Sequence, residues 1–451
     1  MNDASGIGND QWKTRFGFML AAMGSAVGLG NIWRFSYVAG ENGGATFLFV
    51  YLAFILLIGI PLLLTETSIG KAGKMDAVGS FKKLAPNTKW HLVGLMGVFG
   101  GILILSFYIV VSGWSLFYLY QYITGAFWTE PDGGFGQAFE SWISNPFAPL
   151  FWQALFLGIT LLIVMNGISK GIERANNIFM PALAILMIFM AIYGLTLDGA
   201  SEGLAFLFTP DWSQLGNPSI YAMALGQAFF SLSLGICGML TYSSYLKEKD
   251  RLPGATVGIA LMDTVFAVIA GIMIFTAVFS FEVDTASGPP LVFIILPSIF
   301  EGMPAGNLIA IVFFVLLTMA AFSSALSLLE LPVAYVHRTL GLSRKAATFV
   351  CSGIIFTLGI ASSLGFGIWS GVEYNGNNIL DMIDNFTANL ILPLGGLLMA
   401  IFVGWYVKRD QAIQMSELQS AGLQNIWYTL VRYVIPVVMA FILFASLFGF
   451  M

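Results

Sequence analysis

Polar side chains interrupt several long apolar runs of this chain, and their oxygen atoms suit the binding of small cations. In the first run, Asn31 follows a glycine-rich stretch, and the cationic side chain of Arg34 comes three residues later. Later runs contain Ser231, Ser233, Asp263, Ser323 and Ser324. Carboxylate, hydroxyl and amide oxygens are hard donors, which favour an ion such as Na⁺. The paired serines are also compatible with simple packing between helices.

The stretch Gly24–Gly30 is a poor sequence for an unbroken membrane helix. Each glycine disfavours a helix interior by roughly 1 kcal/mol relative to alanine, and backbone groups freed in hydrocarbon need another partner. Helix breaks at membrane depth can offer carbonyl oxygens to cations and helix ends to charged groups. We therefore expect a ligand here, the alternative being close helix packing through Gly24 and Gly28. A nucleotide-binding loop is disfavoured because no strand precedes the stretch.

A second interrupted run, Gln227–Gly238, combines an amide, two hydroxyls and two glycines. It lies in the sixth apolar segment, five segments after the first break. Such an offset is what an inverted repeat of five plus five helices produces, and it indicates a transporter. We expect one domain over 1–451, with repeats at about 12–197 and 215–407 and an additional helix at 426–450.

The elements that hold these breaks are expected to be membrane helices. Hydrophobic residues make up 58% of the chain and charged residues 10%, which indicates a polytopic membrane protein without a soluble domain. Eleven segments have the length and apolar character of a membrane span. They are residues 15–38, 45–69, 92–124, 150–167, 174–197, 217–246, 256–281, 307–337, 346–364, 378–407 and 426–450. The predicted fold class is all-α and polytopic, with eleven transmembrane helices of which the first and sixth are broken. The lipid bilayer is an expected partner and nucleic acid is not.

Basic residues predict the orientation of the chain. Seventeen of the nineteen lie before the first segment or in alternate connections, and the intervening connections have none. The positive-inside rule then places the N-terminus in the cytoplasm and, after eleven crossings, the C-terminus outside a cell (inner) membrane. The start of the chain shows no cleavable signal. Only Arg34 and Arg432 depart from the pattern; Arg432 can snorkel, whereas Arg34 adjoins the first break.

Other residues carry weaker signals. Ile104 and Tyr108 share one helix face, where a tyrosine hydroxyl can serve a ligand or a neighbouring carbonyl. Glu66 near a helix end is interpreted as a cap for a broken helix, with a proton relay as the alternative. Asp384 is a plausible outer partner for Arg34. The cysteines and histidines support neither a disulfide scaffold nor a metal or catalytic centre.

Two further segments suggest moving parts. Gly171 and Pro181 bracket the start of the fifth helix, which is either a plain helix start or an inner gate that unwinds. The external connection 282–306 is apolar enough to fold back as a lid.

Together these motifs resemble the neurotransmitter:sodium symporters, and among them bacterial leucine and multi-hydrophobic amino-acid transporters. The resemblance covers nearly the whole chain and rests on specific pieces. They are Gly24–Phe35, Glu41–Gly44, Gly59–Leu62, Gln227–Ser233, the Ser323-Ser324 pair and Asp384. It implies a leucine-transporter-like fold.

The resemblance also implies two Na⁺ sites, a substrate site and two gates. The first Na⁺ site would use the Ala26 carbonyl, Asn31, Ser231, Asp263 and the substrate carboxylate. The second would use the carbonyls of Gly24, Val27 and Ala320 with Ser323 and Ser324. Substrate would contact Ala26, Gly28, Gly30, Ile104, Tyr108, Phe230, Ser233, Ile236 and Leu328. The outer gate would be Arg34 with Asp384 and Tyr108 with Phe230, and the inner gate would include Trp12 and the segment from Gly171 to Pro181.

The chain departs from the family pattern on the inner side. Asn9 replaces an expected basic residue and Arg338 an expected acidic one, so the usual inner ion pair does not transfer. Asp10 with Arg338 is a possible reversed pair. The family's twelfth helix is not among the eleven predicted segments, so dimer contacts made by that helix are not expected here.

The expected function is Na⁺-coupled uptake of neutral, hydrophobic L-amino acids by alternating access, and not catalysis. Gly28 stands where monoamine carriers of the family have an aspartate, which leaves room for a substrate carboxylate. Chloride is not expected as a cofactor, because Asp263 aligns beside the family's chloride position near Tyr51, Gln227 and Ser231. A channel is the first alternative, but the polar residues converge on the breaks rather than line a pore. An enzyme is the second, but no nucleophile and base are placed together.

Overall fold

The computed structural model describes residues 11–281, 292–374 and 376–447. Within these ranges the chain is built from helices, and the β structure there is an isolated bridge between Tyr374 and Asn377. The predicted all-α fold is therefore confirmed. Asp10 and residues 282–291 of the expected lid lie outside the described residues.

The α-helices are numbered in chain order. They are α1 (Arg15–Ala26), α2 (Phe35–Glu41), α3 (Ala45–Phe54), α4 (Ile60–Gly73), α5 (Ala77–Leu84), α6 (His91–Ile123), α7 (Gly134–Ile143), α8 (Ala148–Val164), α9 (Arg174–Gly194), α10 (Ala200–Phe208), α11 (Pro218–Ser231), α12 (Gly238–Ser244), α13 (Leu252–Ser280), α14 (Ile295–Gly302), α15 (Gly306–Arg338), α16 (Arg344–Leu364), α17 (Ile379–Phe386), α18 (Leu392–Ile401), α19 (Arg409–Ser416), α20 (Ala421–Thr429) and α21 (Ile435–Leu447). Short π-helical turns occupy Gly30–Arg34, Ile55–Gly59, Ile168–Glu173, Thr387–Ile391, Phe402–Tyr406 and Leu430–Val434, and Trp212–Gly216 is a 3₁₀ turn.

Eight helical stretches of the described chain are long and apolar enough to cross a membrane. They are Ala45–Gly73, His91–Ile123, Ile168–Gly194, Leu252–Ser280, Gly306–Arg338, Arg344–Leu364, Ile379–Tyr406 and Ala421–Phe444. Two bent pairs raise the number to ten: α1 with Gly30–Glu41, bent by 45°, and α7 with α8, bent by 77°. The short helices α11 and α12 fill the remaining predicted segment, 217–246. Each of the eleven predicted segments therefore contains helix.

Helices α6 and α15 form the interior of the protein. In each, 72% of the most apolar 18-residue window is buried, against 33% for the span Ile168–Gly194. A membrane helix that is buried on most of its surface packs against other helices, whereas a less buried one faces lipid. Of the broken segments, α1 and α12 both pack against α15.

The sixth segment breaks over residues 232–237, between α11 and α12. Ser233, Gly235 and Cys237 all have left-handed backbone, with φ of 52°, 88° and 62°. Gly235 also touches α18, because a Cβ atom there would lie 2.1 Å from the Leu392 carbonyl oxygen. Glycine is the residue that satisfies both demands at this position.

Glu66 of α4 supports this break. Its carboxylate accepts hydrogen bonds from the backbone amides of Gly235 (3.2 Å), Met239 (3.1 Å) and Leu240 (3.4 Å). A helix N-terminus leaves such amides without intrahelical partners, and a carboxylate is a favourable acceptor for them. The interpretation of Glu66 as a cap for a broken helix is confirmed.

Candidate functional site

The two breaks lie against each other. The Ser233 hydroxyl donates to the Ser25 carbonyl at 3.1 Å, and the Gln227 side-chain amide donates to the Gly30 carbonyl at 2.9 Å. Helix α1 ends at Ala26, and Val27 has an extended backbone. The interrupted backbone therefore has carbonyl and amide groups that side chains from other segments can reach.

A buried cavity lies between the breaks and the interior helices. Its lining contains eight of the nine residues predicted to contact a substrate, namely Ala26, Gly30, Ile104, Tyr108, Phe230, Ser233, Ile236 and Leu328, together with Ser25, Ser324 and Leu392. The cavity volume is about 30 Å³. That is space for about two water molecules, so a larger ligand requires the lining side chains to move.

The ninth predicted residue, Gly28, lies next to this cavity. A Cβ atom at Gly28 would lie 2.1 Å from Ser324 Oγ and 3.1 Å from Tyr108 Oη. The Tyr108 hydroxyl accepts a hydrogen bond from the Leu29 amide at 3.3 Å, and the Gly28 amide donates to Asn31 Oδ1 at 3.3 Å. The cavity thus has a polar wall of backbone and hydroxyl groups and an apolar wall from Ile104, Ile236, Leu328 and Leu392.

Asn31, Ser231 and Asp263 form the first candidate cation site. The Asn31 side-chain amide donates to Asp263 Oδ1 at 2.8 Å and to Ser231 Oγ at 3.2 Å, and Ser231 Oγ donates to Asp263 Oδ2 at 2.7 Å. The Tyr51 hydroxyl lies 3.4 Å from both Ser231 Oγ and Asp263 Oδ2. All four side chains are buried. The structure therefore joins three predicted ligands from three separate segments.

The second candidate cation site lies between α1 and α15. Ser323 Oγ is 3.3 Å from the Val27 carbonyl and 2.8 Å from the Ala320 carbonyl. Ser324 Oγ is 3.2 Å from the Gly24 carbonyl. All five predicted ligands of this site are therefore neighbours, and their oxygen atoms converge at the first break.

The donor chemistry of both sites suits an alkali cation. In the described part of the chain, no three histidine, cysteine, aspartate or glutamate residues are grouped so that they could hold a metal ion. Carbonyl, hydroxyl and amide oxygens with one carboxylate are hard ligands of low total charge. Such a set matches a monovalent cation better than a transition metal.

Of the predicted outer gate residues, Arg34 contacts Phe230 but forms no ion pair with Asp384 in the described structure. The Arg34 guanidinium donates to Gln227 Oε1 at 2.9 Å and its central carbon lies 5.0 Å from the centre of the Phe230 ring. No ion pair joins Arg34 to Asp384 in the described structure, and Asp384 Oδ1 is buried without a hydrogen bond. In this conformation Gln227, rather than Asp384, holds the arginine.

Trp12, which was predicted to belong to the inner gate, is fully buried. Its indole donates to the Tyr242 carbonyl at 2.8 Å, and its backbone amide donates to the Tyr245 carbonyl at 3.4 Å. The carboxylate of Glu173 accepts from the amides of Lys13 (2.7 Å) and Thr14 (3.1 Å). These bonds fix the segment before α1 against the end of α12 and the turn that precedes α9.

The fifth span shows the plain helix start rather than an unwound one. Gly171 lies in the π-helical turn Ile168–Glu173, and Pro181 lies inside the continuous helix α9. Unwinding between these residues is not a feature of this conformation.

A buried ion pair that the sequence did not reveal lies nearby. Glu330 of α15 pairs with Arg344 of α16, and the Tyr245 hydroxyl donates to the same carboxylate. Arg338 stacks on the Tyr245 ring at 4.0 Å and donates to Ser244 Oγ at 3.1 Å. The possible Asp10–Arg338 pair lies partly outside the described residues.

Sequence reasoning missed two other contributors. Leu392 lines the cavity from α18, and Glu173 binds the segment before α1. Leu392 precedes a proline in an ordinary apolar run, and Glu173 is one charge among several at a helix start. Of the two, only Glu173 gave a usable signal, because its carboxylate lies two residues after Gly171.

Comparisons with known proteins agree with this geometry. The model of the family described as "Sodium:neurotransmitter symporter family" matches residues 9–138 and 145–451. The chain is 38% identical over 442 residues to the uncharacterized sodium-dependent transporter YhdH of Bacillus subtilis, covering 97% of this chain and 98% of the relative. It is 34% identical over 448 residues to an uncharacterized sodium-dependent transporter of Haemophilus influenzae, covering 97% and 98%.

A solved structure is also similar. The crystal structure of MhsT in complex with L-phenylalanine shares 54% sequence identity, covers 97% of this chain and 100% of that chain, and superposes with a TM-score of 0.93. The fold is thus leucine-transporter-like, as predicted. The protein is a multi-pass membrane protein and a sodium-dependent secondary transporter, not an enzyme. With a family model that matches nearly its whole length, the chain belongs to the sodium:neurotransmitter symporter family.

Proposed function

We propose that the protein couples the inward movement of Na⁺ to the uptake of neutral, hydrophobic L-amino acids. The observation that carries this proposal is the cavity between the breaks, which has a polar wall at Tyr108, next to Gly28 and Leu29, and an apolar wall from Ile104, Ile236, Leu328 and Leu392. A free amino acid with an apolar side chain is likewise polar at its amino and carboxylate groups and apolar at its side chain. The presence of L-phenylalanine in the similar MhsT structure supports this substrate class. Leucine-, phenylalanine- and tryptophan-like amino acids are the proposed substrates.

We assign two Na⁺ sites to the two oxygen clusters. The first uses Asn31, Ser231 and Asp263 with the Ala26 carbonyl and the substrate carboxylate. The second uses Ser323 and Ser324 with the carbonyls of Gly24, Val27 and Ala320. The hydrogen bonds within each cluster support this assignment, since they already bring the proposed ligand residues together.

Coupling follows if the substrate carboxylate is itself a Na⁺ ligand. Each species then lowers the electrostatic cost of binding the other, and linkage makes the effect reciprocal. Inward Na⁺ movement also gains about 2.3 kcal/mol per charge for each 100 mV of membrane potential. Uptake against a concentration gradient is then driven by both the Na⁺ gradient and the potential.

Alternating access requires gates on both sides of the cavity. We assign the outer gate to Arg34 and Phe230, with Asp384 and Tyr108, since the cation and ring are already stacked. We assign the inner gate to Trp12 and the segment Gly171–Pro181. Opening this gate would break the hydrogen bonds from Trp12 to Tyr242 and from Lys13 to Glu173. The orientation proposed from the basic residues places Trp12 on the cytoplasmic side and the C-terminus outside.

The function is tested by labelled leucine uptake into proteoliposomes. An inward Na⁺ gradient should drive accumulation above equilibrium, whereas an equal K⁺ gradient should not. Equal uptake with both cations, or uptake that stops at equilibrium, contradicts Na⁺-coupled transport. Protein-free liposomes are the control for passive permeation.

A further inference from the structure

An arginine lies inside the last membrane span, where Ala421–Phe444 crosses Ile379–Tyr406. The central guanidinium carbon of Arg432 lies 4.8 Å from the ring centre of Trp405, 5.5 Å from that of Tyr433 and 5.8 Å from that of Tyr428. We call these four residues the arginine cluster. Three rings around one cation form a cage that favours positive charge at its centre.

Hydrogen bonds hold this cage in place. Arg432 Nη1 donates to the Tyr428 hydroxyl at 2.9 Å, which in turn donates to the Gly404 carbonyl at 3.2 Å. The Trp405 indole donates to the Arg432 carbonyl at 2.8 Å. Arg432 Nε is buried and makes no hydrogen bond in the described structure. The guanidinium is therefore fixed while part of its donor capacity stays unused.

A second arginine also lies close to the Tyr428 ring. The guanidinium of Arg409 is 5.7 Å from the ring centre of Tyr428 and donates to Asn425 Oδ1 at 2.6 Å. The ion pairs that the described residues form join Lys71 to Glu417 and Arg344 to Glu330. Neither of the two arginines at Tyr428 is neutralised by a carboxylate of the described chain.

The surroundings of the cluster are those of a membrane interface. Trp405 is 57% exposed and Tyr433 is 53% exposed, on helical stretches that are long and apolar enough to cross a membrane. Trp405 lies one residue before the end of its span, and Lys408 and Arg409 follow. Tryptophan, tyrosine and basic residues are enriched where acyl chains meet headgroups.

We propose that the arginine cluster and Arg409 bind the phosphate of an anionic phospholipid. Guanidinium groups form paired hydrogen bonds with phosphate oxygens, and basic pockets between membrane helices select charged headgroups. A phospholipid fits better than a free phosphate ion, because its acyl chains would cover the exposed faces of Trp405 and Tyr433. The site lies on the lipid-facing side of the tenth and eleventh spans, away from the cavity between the breaks.

The test compares lipid retention. The protein is reconstituted in nanodiscs of phosphatidylcholine and phosphatidylglycerol, and lipids that stay bound after extraction are counted by native mass spectrometry. The wild type should retain more phosphatidylglycerol than phosphatidylcholine. Arg432→Gln and Arg409→Gln should each lower this preference about fivefold, because each removes one guanidinium group from the bound phosphate. Arg174→Gln, an exposed arginine at the start of another span, is the matched control and should leave the preference unchanged.

Three results overturn the proposal. They are equal retention of both lipids by the wild type, unchanged preference in both Arg432→Gln and Arg409→Gln, and an equal loss in Arg174→Gln. Because Arg409 is exposed, its variant stays informative even if Arg432→Gln does not fold. Displacement of bound phosphatidylglycerol by inorganic phosphate would identify a free-anion site and also overturn the lipid assignment.

Discussion

The carboxylate of Glu66 lies 3.2 Å from the backbone amide of Gly235, so helix α4 supports the break in the sixth segment. The same carboxylate accepts from Met239 and Leu240 at the start of α12. Glu66 is fully buried. A side chain far away in sequence therefore supplies the acceptors that the broken backbone lacks.

Replacing Glu66 by glutamine should destabilise the protein. Glutamine offers one carbonyl oxygen in place of two carboxylate oxygens and directs an NH₂ group toward backbone donors. We expect a loss of about 1–3 kcal/mol, the cost of buried donors left without partners. Thermal unfolding in detergent, followed by tryptophan fluorescence, measures the change. Glu202→Gln, on an exposed residue, is the control, and equal melting temperatures of the two variants would contradict the capping role.

Asn31→Ala or Ser324→Ala should weaken Na⁺ dependence and substrate binding together. Each removes a polar side chain from a proposed Na⁺ site beside the first break, and a hydrogen bond or ligand to a charged group is worth about 1.5–3 kcal/mol. The Na⁺ concentration for half-maximal substrate binding should therefore rise roughly tenfold or more. Ser298→Ala, on an exposed serine, serves as the control. Equal Na⁺ titrations of wild type and both variants would remove these residues from the sites.

The substrate should need its carboxylate. Gly28 has no side chain, so its backbone lies directly against the polar wall, where an added Cβ would come within 2.1 Å of Ser324 Oγ. Leucine, phenylalanine and tryptophan should displace labelled leucine, whereas their decarboxylated amines should fail. Gly28→Ala should weaken binding of all three amino acids by crowding this wall. Competition by the amines at similar concentrations would show that the polar wall does not bind a carboxylate.

Transport should not require chloride. Asp263 places a carboxylate 2.7 Å from Ser231 Oγ, within the first proposed Na⁺ site, where a fixed negative charge offsets that of the cation. Replacing chloride by gluconate should leave wild-type uptake unchanged. Asp263→Asn should lose activity that chloride partly restores, while Asp211→Asn, on an exposed residue, should not. Strong chloride dependence of the wild type is the result that rejects this role for Asp263.

Much of the architecture was predictable because apolar length and glycine placement are local properties. The third predicted segment, 92–124, differs by one residue at each end from α6, His91–Ile123. The last helix begins at Ala421, earlier than the predicted residue 426. The prediction began too late because the first turns of this helix contain Gln424 and Asn425. Those polar side chains lower the hydropathy without interrupting the helix.

Contacts between distant elements were harder to predict. The Ser323 and Ser324 pair was identifiable because two hydroxyls stand in an apolar run, and both reach the carbonyls of the first break. Leu392 gave no comparable signal, since a leucine that lines a cavity has the same sequence context as one that faces lipid. Arg34 was recognised as unusual, but its bond to Gln227 depends on how α11 packs against the first segment.

If Trp12 belongs to the inner gate, as we propose, the hydrogen bonds around it help to set the speed of the transport cycle. Trp12, Lys13 and Thr14 are tied to Tyr242, Tyr245 and Glu173 through backbone and side-chain hydrogen bonds. None of these groups lines the cavity between the breaks. A hydrogen bond contributes about 0.5–1.5 kcal/mol, and about 1.4 kcal/mol changes a rate tenfold. Changes confined to this segment would therefore alter turnover number while leaving substrate selectivity intact, so that the pace of the cycle and the choice of cargo can evolve separately.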